Sequence, residues 1–158
     1  MADAFPHVFE PLRLRHRTLR SRITFGAHTA NMAEGGLPGE RHIGYYRERA
    51  LGGVGMIVVE PVPVHRTGVL TRGNFRHDDD AIIPAFRRVI DACRAANPDI
   101  VMIHQLYHLG QHNDADNSFA PNWSPSGLPS YHDADGSHAM TQAEIEELIV
   151  GFVPAPRP

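Results

Sequence analysis

The sequence predicts an α/β fold, the N-terminal portion of a (β/α)8 barrel truncated after about three β/α units. Three observations predict it. The continuous apolar runs Met56–Val59 and Ile100–Ile103 read as parallel strands buried on both faces. Helical patterns alternate with such runs in the order strand, helix, strand, helix, strand, long loop, helix. No G-x-G-x-x-G follows the first strand, so a dinucleotide-binding doubly wound sheet lacks its main support and a barrel is the natural alternative. A full barrel takes roughly 250 residues, and this chain has 158.

Taken in order, Phe9 to Arg22 alternates loosely, with Leu12, Leu14 and Leu19 between basic residues, and reads as a hairpin that plugs or lids a larger body. Arg22–Phe25 is a short β-prone run ending at Gly26. Asn31–Gly39 reads as a loop, and Glu40–Leu51 as a helix with Ile43, Tyr45, Tyr46 and Ala50 near one face. Gly52 and Gly53 stop that helix. The second strand, from Met56, is expected to end at Pro61 and Pro63, and a polar loop from Arg66 to His77 to follow. Asp78, Asp79 and Asp80 are expected to cap a helix carrying Ile82, Ile83, Phe86, Val89, Ile90 and Cys93, closed by Asn97-Pro98.

After the third strand, His104 to Met140 is far longer than an ordinary connection and reads as an ordered functional loop. Thr141 to Glu144 forms a capping box for a last helix with Ile145, Leu148, Ile149 and Phe152. That helix runs into Pro154-Ala155-Pro156-Arg157-Pro158, and prolines inside a helix cost about 3 kcal/mol or more each. The expectation is a frameshift or early stop shortly after Val153, leaving residues 1–153 as barrel and 154–158 as an aberrant Pro-rich tail.

Composition removes several classes. A formal net charge of −3 excludes a strongly basic nucleic-acid binder. A hydrophobic fraction of 42% is too high for a disordered chain. No apolar run approaches the ~20 residues of a membrane span, and the N-terminus has no hydrophobic signal core, so a cytoplasmic protein is expected. The lone Cys93, on an apolar helix face, excludes an internal disulfide and reads as packing. All 15 basic residues are Arg, so no Schiff-base or Walker-type lysine exists here.

Polar residues recur where the three strands end: Gly26-Ala27-His28-Thr29, Glu60-Pro61 and Gln105-Leu106-Tyr107-His108. Parallel barrels build their catalytic face from such strand ends, so one shared pocket is expected, against the plainer reading that these residues cap strands and turn loops. His104, His108 and His112 have the i, i+4 spacing of a helical metal site, but the strand pattern before them and Gly110 disfavour a helix, and no metal site is expected. Asp133-Ala134-Asp135-Gly136 resembles part of a calcium loop without its closing Glu.

At these positions the chain resembles the old yellow enzyme family of NADH:flavin oxidoreductases, FMN-binding TIM barrels. The resemblance is carried in family order by FEPLRLRHRTLRSRITF, HIGYYRERALGGVGMIVVE, HQLYHLGQH, WSPSGLPS and MTQAEIEELIVGF. The His-Thr-Ala-Asn stretch is most similar to the N-methylproline and dimethylamine demethylase branch. The resemblance implies non-covalent FMN, with Ala27, His28 and Thr29 beneath the flavin and the Thr29 hydroxyl near its N5/O4 edge. It also implies Pro61 beside the isoalloxazine, where a trimethylamine-type member has an aromatic cage residue, and Gln105 pairing with the pyrimidine end. NAD(P)H or another electron partner and a small-molecule substrate are implied as well. The family's substrate-anchoring His pair and phosphate loops lie on strands four to eight, outside this sequence.

Three functions follow as expectations: a flavin-dependent oxidoreductase, a non-catalytic fragment that binds flavin weakly or not at all, and a distant histidine-metal protein. An open half-barrel also implies self-association through its exposed strand edge.

Overall fold

The structure, a computed structural model, describes residues 4–76, 80–112, 121–131 and 136–153. A single helical turn, α1 (Pro6–Phe9), leads into the antiparallel hairpin β1 (Leu12–Leu14) and β2 (Arg17–Leu19), in which Leu12 faces Leu19. The expected hairpin is therefore present. Three parallel strands follow in sequential order: β3 (Thr24–Phe25), β4 (Met56–Pro63) and β5 (Val101–Tyr107). Helix α2 (Glu40–Leu51) connects the first pair and α3 (Ile82–Ala96) the second, the alternation of a β/α barrel. Farther on, β6 (Trp123–Ser124) pairs in parallel with β7 (His138–Ala139), and α4 (Gln142–Phe152) ends the described chain.

The core lies between the three-stranded sheet and the two helices. Ile57 and Val59 of β4, Tyr46 and Ala50 of α2, and Phe86, Val89 and Cys93 of α3 form one buried cluster with Phe75 and Ile100. Each large apolar side chain buried there contributes about 1.5–3 kcal/mol. Successive strand residues face opposite sides. Met102 packs on the cluster and His104 meets the Phe86 ring edge-on at 4.2 Å, so the intervening Ile103 and the following Gln105 lie on the sheet face away from the helices, both exposed. In a closed barrel that face looks inward.

The hairpin sits at the N-terminal end of the sheet. Leu19 is 1% exposed, the Ser21 hydroxyl donates to the Gly53 carbonyl, and Arg20 donates to Asn97 Oδ1 at 3.3 Å. It is a plug on the end opposite the candidate site.

Several expectations are corrected. Pro61 does not end the second strand, which runs on to Pro63. Pairing runs through a register irregularity between Val59 and Val62 and resumes at Val62–Leu106 and Pro63–Tyr107; a bulge is where a strand tolerates residues that cannot donate. The third strand begins at Val101 and reaches Tyr107, so the start of the expected long loop is strand, and a 3-10 turn at Gly110–His112 and the β6–β7 pair occupy more of it. The segment after β4 is not simply polar, since Phe75 is fully buried. Ala81 holds the cap position of α3 without a side-chain bond, in place of the aspartates; Asp78 and Asp79 lie outside the described residues. The Thr141 capping box is present, with Glu144 reaching back to the Thr141 N–H at 2.7 Å. Ile149 and Phe152 of α4 are nonetheless exposed. The tail Pro154–Pro158 and the segment Asp133–Asp135 lie outside the described residues. Among the described residues no helix is long and apolar enough to cross a membrane.

Candidate active site at the C-terminal sheet edge

The register aligns the three strand ends. Phe25 pairs with Ile57, and Val59 with His104, so the segments after Phe25, around Pro61 and around Gln105 emerge side by side along one edge. The sheet thus brings Ala27, His28, Thr29, Pro61 and Gln105 to the same end of the fold. Ala27, Thr29 and Pro61 are half-buried, and His28 and Gln105 are exposed.

Glu60 joins the first two strand ends. It is 1% exposed, and its carboxyl group accepts the Ala30 N–H at 2.9 Å and the Tyr46 hydroxyl at 3.2 Å. The Tyr46 oxygen in turn accepts the Glu60 N–H at 3.0 Å. His42 Nδ1 accepts the Gly39 N–H, which puts the ring proton on Nε2, 3.1 Å from Glu60 Oε1. That N–H is not aimed along the line to the oxygen, so the contact is a close approach and not an aligned hydrogen bond. Burial, with the neighbouring Glu60 charge, pushes the Tyr46 phenol up, so Tyr46 stays a hydroxyl donor. Both partners come from α2, where i, i+4 spacing puts His42 and Tyr46 on one face.

The same helix reaches the first strand end directly. The Tyr45 hydroxyl and His28 Nε2 are 2.5 Å apart, the Phe25 ring meets both edge-on, and the Arg49 guanidinium lies over the Tyr45 ring at 3.4 Å.

A second polar cluster lies past the ends of β4 and β5. His108 Nδ1 accepts the Gly110 N–H, so its Nε2–H donates to Thr67 Oγ1 at 2.9 Å. The Thr67 hydroxyl then donates to His65 Nδ1 at 2.8 Å, and His65 Nε2–H donates to Glu147 of α4 at 3.0 Å. Trp123 stacks on His65 with ring centroids 4.7 Å apart. Burial, and secondarily the proximity of the second imidazole at His65, hold His108 below the usual histidine range. His104 stands within strand β5 and packs on Phe86, so the helical-face spacing of His104, His108 and His112 does not arise. Among the described residues no three His, Cys, Asp or Glu side chains converge on a metal-sized site.

Sequence reading names Glu60 at a strand end without giving it a role, and misses His42, Tyr46, His65 and Thr67. The available signal was a Glu ending an otherwise apolar strand, a charge that burial obliges to find donors.

The donor set suits a flat, polar-edged heterocycle. The Thr29 hydroxyl and the Gln105 amide have no protein hydrogen-bond partner among the described residues, and the segments beside them present the small residues Ala27 and Pro61. An amide both donates and accepts, which matches a ring edge of alternating N–H and C=O groups.

Residues 7–157 match the model of the NADH:flavin oxidoreductase / NADH oxidase family. A metal reductase of Desulforamulus reducens is 32% identical over 148 residues, 94% of this chain and 22% of that protein. A probable N-methylproline demethylase of Rhizobium meliloti is 33% identical over 141 residues, 89% of this chain and 20% of that protein. The old yellow enzyme homologue of Zymomonas mobilis superposes with a TM-score of 0.81 at 24% identity, over 93% of this chain and 43% of that one. The chain thus spans about a fifth of these curated relatives and under half of the solved barrel.

Proposed function

Because this chain belongs to the NADH:flavin oxidoreductase / NADH oxidase family, whose barrel it matches over its N-terminal strands, we propose that its C-terminal sheet edge contributes to a non-covalent FMN site. The observation that carries this reading is the alignment of Ala27–Thr29, Pro61 and Gln105 along one edge, with the Thr29 hydroxyl and Gln105 amide without a hydrogen-bond partner among the described residues.

When bound, FMN supplies the redox chemistry, passing hydride between NAD(P)H or another electron partner and a small-molecule substrate. The residues bind and orient. Ala27 and Pro61 leave room for a ring to approach the backbone. Thr29 would offer its hydroxyl, and Gln105 its amide, to the polar edges of the ring. His28, held by Tyr45, borders the same segment. Thr29 stands where a covalent linkage would need a cysteine, and the chain's one Cys is buried in the core.

The proposed substrate is an N-methylated amine or amino acid, supported by the relative named as a probable N-methylproline demethylase. Pro61 supplies no aromatic wall for a trimethylammonium group. A second reading, a non-catalytic chain that binds flavin weakly or not at all, is favoured by the open edge of β5, which pairs with no further strand among the described residues. That edge, with exposed Ile103 and Leu106, is also the proposed route of self-association.

Titrating FMN into the full chain, and into Gln105→Leu, tests the reading. Saturable binding weakened by the substitution supports it. Binding indifferent to Gln105 overturns the assignment of that residue, and no binding favours the second reading.

A further inference from the structure

We infer that Glu60 is a positioning residue, which fixes the Thr29 hydroxyl by pinning the Ala30 backbone to helix α2. The inference rests on the flavin reading only for what the hydroxyl is aimed at.

The segment after β3 has no ladder of its own past Phe25. Farther on, Asn31 accepts the Thr71 hydroxyl and the Ala33 N–H donates to the Gly73 carbonyl, but two grips flank Thr29 directly. On one side Tyr45 grips His28 through its hydroxyl. On the other, Glu60 Oε2 accepts the Ala30 N–H at 2.9 Å. The two grips share one origin, since Tyr45 is a residue of α2 and Glu60 is fastened to its neighbour Tyr46 by a reciprocal pair of hydrogen bonds. The Tyr45 and Tyr46 rings meet edge to face at 5.2 Å, which couples the grips directly. Glu60 is therefore not a passive buried acid. Its burial at 1% exposure makes each donor obligatory, and one of those donors belongs to the segment that presents Thr29.

Chemistry distinguishes this role from bulk packing. Glutamine at this position keeps an oxygen for the Ala30 N–H, so Glu60→Gln retains the pin. Its amide nitrogen replaces the oxygen that faces the Tyr46 hydroxyl and the His42 Nε2–H, and weakens those two contacts. Glu60→Ala removes the pin and strands the Ala30 N–H.

The test measures amide hydrogen exchange and FMN affinity in the 158-residue chain, its Glu60→Ala and Glu60→Gln variants, and Tyr45→Phe. The expected result is an Ala30 amide that exchanges roughly tenfold faster in Glu60→Ala and within about threefold of the parent in Glu60→Gln. Val89 and Cys93 amides in α3 should keep their protection throughout. FMN affinity should fall several-fold in Glu60→Ala and Tyr45→Phe, return in Glu60→Gln, and be accompanied by a shifted flavin absorbance band in Glu60→Ala. Loss of Ala30 protection in step with the α3 amides means that Glu60 holds the whole fold, and overturns the inference. So does unchanged Ala30 exchange in Glu60→Ala, or unchanged FMN affinity in a variant whose Ala30 amide is freed. A parent chain that binds no FMN, with Ala30 still freed only in Glu60→Ala, sinks the flavin reading while supporting the pin.

Discussion

Gly55 and Ser21 approach so closely that a Cβ on Gly55 would stand 2.3 Å from the Ser21 carbonyl oxygen. The Gly55 N–H donates to the Ile23 carbonyl at 2.9 Å, so the chain leaving the hairpin is stitched to the foot of β4. Glycine is required here by proximity, and the hairpin can plug the sheet only because no side chain intervenes. Gly55→Ala should lower the unfolding free energy by about 1–3 kcal/mol through overpacking. Chemical denaturation of the variant checks this; Gly44→Ala, on the exposed side of α2 with nothing within 4 Å, is the control and should be neutral or mildly stabilising.

Cys93 should be inert in the folded chain. It is fully buried in the α3 face of the core, and burial pushes its thiol up to about 11, so little thiolate exists at neutral pH. A colourimetric thiol reagent should react at the rate of global opening, and fast only in denaturant. Rapid native labelling would mean that α3 does not dock as described.

Acid should loosen the chain in two steps. Burial depresses both His104 and His108 from 6.5, so the fold favours their neutral forms. Stability is whole above about pH 6.5 and falls as the unfolded chain takes up those protons first, down to the depressed folded values. Glu144 is depressed from 4.5 to about 2, first by the Thr141 N–H and then by His138. Its contribution is whole above about pH 4.5 and is lost toward pH 2. Protonated His108 no longer accepts the Gly110 N–H, and Trp123, the only tryptophan, lies beside that network. Denaturation midpoints and Trp123 fluorescence between about pH 7.5 and pH 5 check the first step; His108→Gln should flatten the fluorescence change and reduce the midpoint change to the His104 share.

The fold was readable where one signal dominated. The apolar run at 56–59, the pattern of Ile82 to Cys93 and the Thr141 capping box each name their element from local chemistry alone. Strand ends were harder, because Pro61 reads locally as a stop while the bulge that admits it depends on β5. The site was half readable. Residues with spare polar groups, Thr29 and Gln105, announce themselves at strand ends. Glu60 and its partners do not, since the value of a buried acid lies in donors that only the packed helix α2 supplies. Phe75 was missed for a similar reason. It sits in a stretch of polar neighbours, and burial there comes from His42 and Phe86 across the chain.

The polar face of Gln105 should matter more than its bulk. Replacing it by Leu keeps the size and removes the amide, and should weaken FMN binding by about three- to tenfold, the worth of one or two net hydrogen bonds. Gln105→Asn, one methylene shorter, should weaken it less. Equal losses in both would point to a steric role.

The central claim is that this sheet edge forms part of a flavin site, and the most direct measurement is a flavin fluorescence titration of the full chain alongside Gln105→Leu and Glu60→Ala. Saturable one-to-one binding is expected in the parent and several-fold weaker binding in both variants, with the far-ultraviolet spectrum unchanged. No saturable signal in a folded parent, or equal affinity in all three, would contradict it.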